Sequence, residues 1–178
     1  MQPRVLAICS LLVGALLVTG AAHALEVGQS VPEFTLQGSD GKVYRRADFV
    51  GTRGFVLAWF PRAFTPGCTA ELGSLRDGSE AIDAFDVATF MVSTDPPEKN
   101  ADFAKAEGAK HVLLSDVDGS VAEAFGVAGS GGLFAQRWTF YVDREGVIRA
   151  IDTSVDSGNA GPDIARKLGE LGFPRKRD

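Results

Sequence analysis

Six consecutive apolar residues, Phe55-Val56-Leu57-Ala58-Trp59-Phe60, stopped by Pro61, constrain this chain more than any other feature. A run of that length, rich in β-formers and without a polar face, predicts a strand buried on both sides in the middle of a sheet. The residues after Pro61 fit that placement. Pro66 at a first helical position, with Ala70, Leu72, Leu75 and Ile82 at roughly helical spacing, predicts a helix from Pro66 to Phe85. Val87 to Val92 then reads as a second buried strand, Pro97 to Glu107 as an amphipathic helix, His111 to Leu114 as a strand and Ser120 to Phe125 as a short helix.

Ahead of the apolar run, Phe34 to Leu36 and Lys42 to Tyr44 flank a Ser39-Asp40-Gly41 turn signal, which predicts an N-terminal β-hairpin. Behind it, Arg137 to Val142 and Val147 to Ile151 form a second hairpin across Asp143-Arg144-Glu145-Gly146, and Pro162 to Leu171 predicts a closing helix. The order specifies an α/β fold: a central mixed β-sheet with helices on both faces and a late antiparallel hairpin. No internal repeat or interdomain linker interrupts it.

At 178 residues and 45% hydrophobic content the chain suits one globular domain with an N-terminal extension. The extension is residues 1–24. Arg4 is a positive start, Val5 to Val18 an apolar run, and Ala22-His23-Ala24 an A-x-A cleavage site, so a signal peptide is expected with the mature domain at 25–178. The implied location is periplasmic or secreted. An uncleaved membrane anchor is the alternative, because Val5 to Ala24 approaches spanning length. Cys9 lies inside the apolar run behind bulky Ile8, which disfavours lipid attachment there. Loss of Arg4 would change the formal charge from 18 − 23 = −5 to 17 − 23 = −6. An acidic balance argues against nucleic acid or an anionic membrane surface as partner, and the short basic stretch Arg175-Lys176-Arg177 does not reverse it. No stable membrane association is expected after cleavage.

Cleavage would also remove Cys9 and His23 and leave one cysteine and one histidine, Cys68 and His111. A lone thiol forms no disulfide within its own chain, and neither a Cys/His metal cage nor a C-x-x-C redox motif can be built. No metal or cofactor is expected. What remains is a reactive cysteine. A thiol acts as nucleophile through its thiolate, which helix N-terminal amides, a cation and hydrogen-bond donors all favour. Cys68 falls in the first turn of the predicted helix, where free N–H groups and the macrodipole stabilise negative charge. Gly67 leaves room for a small substrate near the backbone. Thr65 is close enough for its hydroxyl to serve the sulfur or bound substrate, or to cap the helix.

The segment Phe60-Pro61-Arg62-Ala63-Phe64-Thr65-Pro66-Gly67-Cys68-Thr69-Ala70-Glu71 resembles the active-site segment of peroxiredoxins, and within them the bacterioferritin-comigratory or PrxQ group. Pro61, Thr65 and Cys68 stand at the places of the signature proline, threonine and peroxidatic cysteine. Arg137-Trp138-Thr139-Phe140-Tyr141-Val142-Asp143 resembles the strand with the catalytic arginine, and Val92-Ser93-Thr94-Asp95 before a proline-started helix extends the likeness from about Gly28 to Phe173. The resemblance implies a thioredoxin-like fold and a thiol peroxidase acting on hydrogen peroxide and organic hydroperoxides. It implies that Arg137 favours the thiolate and orients peroxide, that Thr65 bonds sulfur and substrate, and that Pro61 shields the thiolate from water. Glu71 matches a position often acidic or amide in relatives and is expected to hold Arg137 or the loop, with a first-turn dipole interaction as the alternative.

The chain also departs from the PrxQ pattern. Many members carry a resolving cysteine five residues after the peroxidatic one; Gly73 stands there. The implied protein is a one-cysteine variant, with Cys68 going to sulfenic acid and an external thiol reducing it: thioredoxin-like, glutaredoxin-like, low-molecular-weight, or Cys68 of a second molecule. A monomer or weak homodimer is expected. A peroxide-sensing or binding module without efficient turnover is the rival reading. Phe64 and Trp138 are expected to pack rather than catalyse. A Cys68–His111 dyad lacks an orienting third group. The cluster Gly129-Ser130-Gly131-Gly132 leads into a strand rather than a helix, unlike a phosphate cradle, and Asp95, Asp116 and Asp118 are expected to solvate the surface.

Overall fold

The computed structural model describes residues 25–129, 131 and 134–176. The expected leader, Ser130 and Gly132 of the glycine cluster, and Arg177 lie outside the described residues. The strands are β1 (Thr35–Gly38), β2 (Val43–Arg45), β3 (Gly54–Trp59), β4 (Val87–Ser93), β5 (Val112–Ser115), β6 (Thr139–Val142) and β7 (Ile148–Asp152). The helices are α1 (Pro66–Asp77), α2 (Ser79–Asp83), α3 (Pro97–Glu107), α4 (Ser120–Ala124) and α5 (Ala160–Glu170).

The apolar run becomes β3, an interior strand of one seven-stranded sheet ordered β2-β1-β5-β4-β3-β6-β7. All six of its residues are buried, as are all seven of β4 and all four of β6. Because side chains alternate across a strand, Phe55, Leu57 and Trp59 enter one core while Val56 and Ala58 enter the other. The second core lies under α1, α2, α3 and α5, through Leu72, Leu75, Ile82, Phe103, Ile164 and Leu168. The first is covered by α4 and a set of aromatic rings, with Phe49 packing at 5.4 Å on both Phe55 and Phe90. Burying each such side chain contributes about 1.5–3 kcal/mol, which makes this strand trio the stable frame of the molecule.

Strand direction decides what the sheet brings together. β3, β4 and β5 run parallel, whereas the β1–β2 hairpin joins β5, and the β6–β7 hairpin joins β3, in antiparallel fashion. The C-terminal end of β3 therefore lies beside the start of β6, with Ala58 opposite Thr139 and the Trp59 N–H donating to the Trp138 carbonyl at 2.8 Å.

The helix expected over Pro66 to Phe85 is two. It breaks at Gly78, where a Cβ would stand 3.1 Å from the Gly161 backbone, so the chain turns where α5 crosses it closely. The strand expected from His111 begins at Val112, and that expected from Arg137 begins at Thr139. Asp95 and Asp116, expected at the surface, are 8% and 2% exposed. Each is buried because it satisfies backbone donors: Asp95 accepts from the Ala63 N–H at 2.7 Å, and Asp116 from the N–H groups of Val121 and Ala122 at the start of α4.

Candidate active site

The loop from Pro61 to Thr65 crosses from the end of β3 to the start of α1. Its conformation is held from several sides. Asp95, itself paired with Lys99 at 2.6 Å, anchors the Ala63 N–H; Arg62 lays its guanidinium 4.3 Å over the Phe134 ring; and Phe64 takes φ 66°, the one positive φ outside glycine among the described residues. That backbone leaves Phe64 50% exposed with its ring 5.0 Å from Phe103, so it packs on only one side. Pro61 is half-buried at the loop's entrance.

Thr65 stands at the N-cap of α1 in extended backbone, Pro66 opens the helix, and the Thr65 carbonyl accepts from the Thr69 N–H at 2.9 Å. Its hydroxyl bonds neither the sulfur nor a helix N–H. It donates to the Arg62 carbonyl at 3.0 Å, bracing the loop across its own turn. No side chain caps α1, so the first-turn N–H groups of Gly67 and Cys68 keep their partial positive charge for an incoming group.

Cys68 is fully buried on that first turn. Arg137, only 20% exposed, comes from the segment just before β6 and donates from Nη2 to the Cys68 sulfur at 3.3 Å. The antiparallel β3–β6 pairing is what brings the two together across 69 positions of sequence. Gly67 keeps this approach uncrowded, since a Cβ there would sit 3.2 Å from Arg137 Nη2. Arg137 Nη1 donates in turn to Glu71 Oε2, while Glu71 Oε1, also buried, has no partner. Glu71 lies one turn beyond Cys68, past the first turn of α1, so its partner is the guanidinium rather than the helix dipole. Burial pushes the Glu71 carboxyl up to about 7 against the opposing pull of Arg137. Burial also works against the Arg137 charge, but Glu71 and Cys68 outweigh it and hold the guanidinium above its ordinary range, fully protonated at neutral pH.

Cys68, Thr65, Arg137, Pro61, Gly67 and Glu71 thus collect at the C-terminal end of β3, the end of a parallel sheet where ligands bind in open α/β folds. Asp95, Arg62 and Phe134 hold the loop, a role that sequence reasoning missed; the Ser93–Asp95 stretch before a helix was the available signal. His111 belongs to the opposite end. It precedes β5, parallel to β3, and its Nε2 meets Asp83 Oδ1 at 3.3 Å. A sulfur flanked by a half-buried guanidinium and free helix amides can hold negative charge, attack an electrophile, and stabilise charge on the group that leaves.

Comparison with known proteins agrees with this chemistry. The AhpC/TSA family matches residues 27–151. The chain is 35% identical over 143 residues to "Peroxiredoxin Bcp" of Escherichia coli K12, covering 77% of this chain and 91% of that one. It superposes on the crystal structure of peroxidoxin BcpB from Mycobacterium tuberculosis with a TM-score of 0.74 and 29% identity, over 83% of this chain and 98% of that one. A cysteine-to-serine variant of PrxQ from Xylella fastidiosa shares the fold with a TM-score of 0.75 at 20% identity, over 84% and 98% of the two chains.

Proposed function

Since the chain belongs to the AhpC/TSA family, among its Bcp/PrxQ-like peroxiredoxins, and is therefore a thiol-dependent peroxidase, we propose that Cys68 is its peroxidatic thiol and works without a resolving cysteine. The observation that carries this reading is the Arg137 Nη2 contact with the Cys68 sulfur at 3.3 Å, beside an uncapped helix start. The thiolate attacks one oxygen of hydrogen peroxide or an organic hydroperoxide, the O–O bond breaks, and Cys68 becomes sulfenic acid. The departing oxygen leaves as water or an alcohol once it gains a proton. Arg137 and the first-turn amides face the developing charge, and Thr65 and Pro61 shape the loop around it.

The second half of the cycle belongs to another molecule. Gly73 occupies the usual resolving position, and Cys68 is the one cysteine among the described residues. An external thiol condenses with the sulfenic acid, expelling water, and a second thiol releases Cys68 from the mixed disulfide. Thioredoxin-like proteins, glutaredoxin-like proteins and small thiols all suit this step. We further read the mature enzyme as beginning at Leu25, acting in the periplasm or outside the cell, as a monomer or weak homodimer.

The test is peroxide consumption by protein beginning at Leu25, with a monothiol or dithiothreitol as reductant. Many turnovers per Cys68, abolished in Cys68→Ser, are expected. Consumption limited to one peroxide per chain with every thiol would favour a sensor instead.

A further inference from the structure

Around Arg137 the count of charges is unusual. One guanidinium faces two groups able to become anions, Cys68 and Glu71, both fully buried on successive turns of α1. They approach it from one side each, Cys68 at Nη2 and Glu71 at Nη1. No other charged side chain among the described residues acts on the Glu71 carboxyl. Two buried anions on one cation leave an uncompensated charge in a low-dielectric site, which is among the costliest arrangements a protein can hold.

The hydrogen bonds show where relief lies. An ionised Glu71 needs partners for both oxygens, yet Oε1 is buried with none. A protonated Glu71 leaves one neutral O–H without an acceptor instead of a full negative charge held by the single bond from Arg137 to Oε2, the smaller cost of the two in a buried site.

We propose that Cys68 and Glu71 hold one proton between them across the Arg137 guanidinium, so that Glu71 is a carboxylic acid while Cys68 is a thiolate and a carboxylate when the sulfur is neutral. The step before attack is Cys68–SH + Glu71–COO⁻ → Cys68–S⁻ + Glu71–COOH, with no net change of charge beside Arg137. After attack the sulfur is a neutral sulfenic acid. The departing oxygen takes a proton from solvent, giving an alcohol or water, and Glu71 gives its own up to solvent, so that protons balance and the carboxylate returns to pair with Arg137. Burial drives Glu71 to about 7, so the carboxyl can hold a proton at neutral pH. Glu71 is thus a positioning residue that sets the charge Arg137 presents to sulfur. The inference rests on the proposed role of Cys68.

Infrared difference spectroscopy of the reduced protein near neutral pH reads the protonated carboxyl directly, with Glu71→Gln assigning its band. The band is expected in the wild type, to vanish when Cys68 is alkylated with iodoacetamide or oxidised by one equivalent of peroxide, and to titrate roughly one pH unit or more lower in Cys68→Ser. A band that ignores alkylation, or none at all, overturns the shared proton. A role for Glu71 confined to anchoring Arg137 predicts that indifference. Should Glu71→Gln not fold, the alkylation difference in the wild type still decides. Peroxide consumption measured on the same samples separates the two readings: an inactive wild type sinks the peroxidase role of Cys68, whereas an active wild type with an unresponsive band sinks only this inference.

Discussion

Cys68 and Glu71 meet at one guanidinium, that of Arg137, and the proposed chemistry gives substitutions in this site distinct signatures. Arg137→Ala removes the cation facing the sulfur and is expected to slow reaction with peroxide by about 10²–10³-fold or more while the fold persists, seen in stopped-flow kinetics beside circular dichroism. An unchanged rate would take Arg137 out of the site. Thr65 makes a subtler case, because its hydroxyl braces the loop through the Arg62 carbonyl. Thr65→Ser keeps that bond and should react within a few-fold of the wild type, whereas Thr65→Val should lose roughly tenfold or more; equal rates would mean that the brace is idle. Cys68 was legible in the sequence because a proline-started helix announced its own N-terminus. Arg137 was legible only through resemblance, since nothing local in Gln136-Arg137-Trp138 tells that a sheet pairing will set it beside a cysteine. The direction of the Thr65 hydroxyl was not legible at all, because it depends on a loop bent by the positive φ of Phe64.

Where α1 and α5 cross, backbone meets backbone, and the glycines of the two helices separate into those the fold requires and those it tolerates. Gly161 donates to Ser74 Oγ at 3.0 Å, and a Cβ on it would collide with the Ser74 carbonyl oxygen. Gly161→Ala is therefore expected to cost roughly 1–3 kcal/mol in urea unfolding. Gly73, in the interior of α1, meets nothing nearer than Arg76 Nη2 at 3.8 Å, so Gly73→Ala should stabilise by about 0.5–1 kcal/mol. The opposite order of the two would refute this crossing. That same contact explains the break at Gly78: hydrophobic spacing continued through Ile82, as a single long helix would require, and only the partner helix interrupts it. At the other end of the sheet, His111 ties β5 to α2 through Asp83, with its Nδ1 buried and unpartnered. Burial pushes the imidazole below its usual 6.5 against Asp83, with Lys176 adding to the shift. A base held down in this way contributes stability that is complete above pH 6.5 and is lost as pH falls through the folded value. Relative to His111→Asn, the wild type should lose melting temperature on acidification from about pH 7 to 5; parallel curves would contradict the linkage.

For the molecule as a whole, the mixed sheet with helices on both faces was readable from the alternation of apolar runs and proline-started helices, whereas the order of its strands was not. What stayed hidden were the buried carboxylates Asp95 and Asp116, whose composition looks like surface and whose role is set by backbone donors from other segments. Among the described residues no second cysteine stands ready to trap an oxidised Cys68. Excess peroxide without thiol should carry Cys68 on to sulfinic acid, visible as added oxygen in the intact mass and prevented by reductant; a mass that stops at the sulfenic stage would mean that the pocket itself protects it. The pairing of β3 with β6 also has a history written into it. A chain leaving the ribosome exposes Cys68 well before residue 137 emerges, and β6 cannot dock until later still. Through that interval the cysteine lacks its guanidinium neighbour, so the newborn polypeptide assembles this pair only on completing its fold.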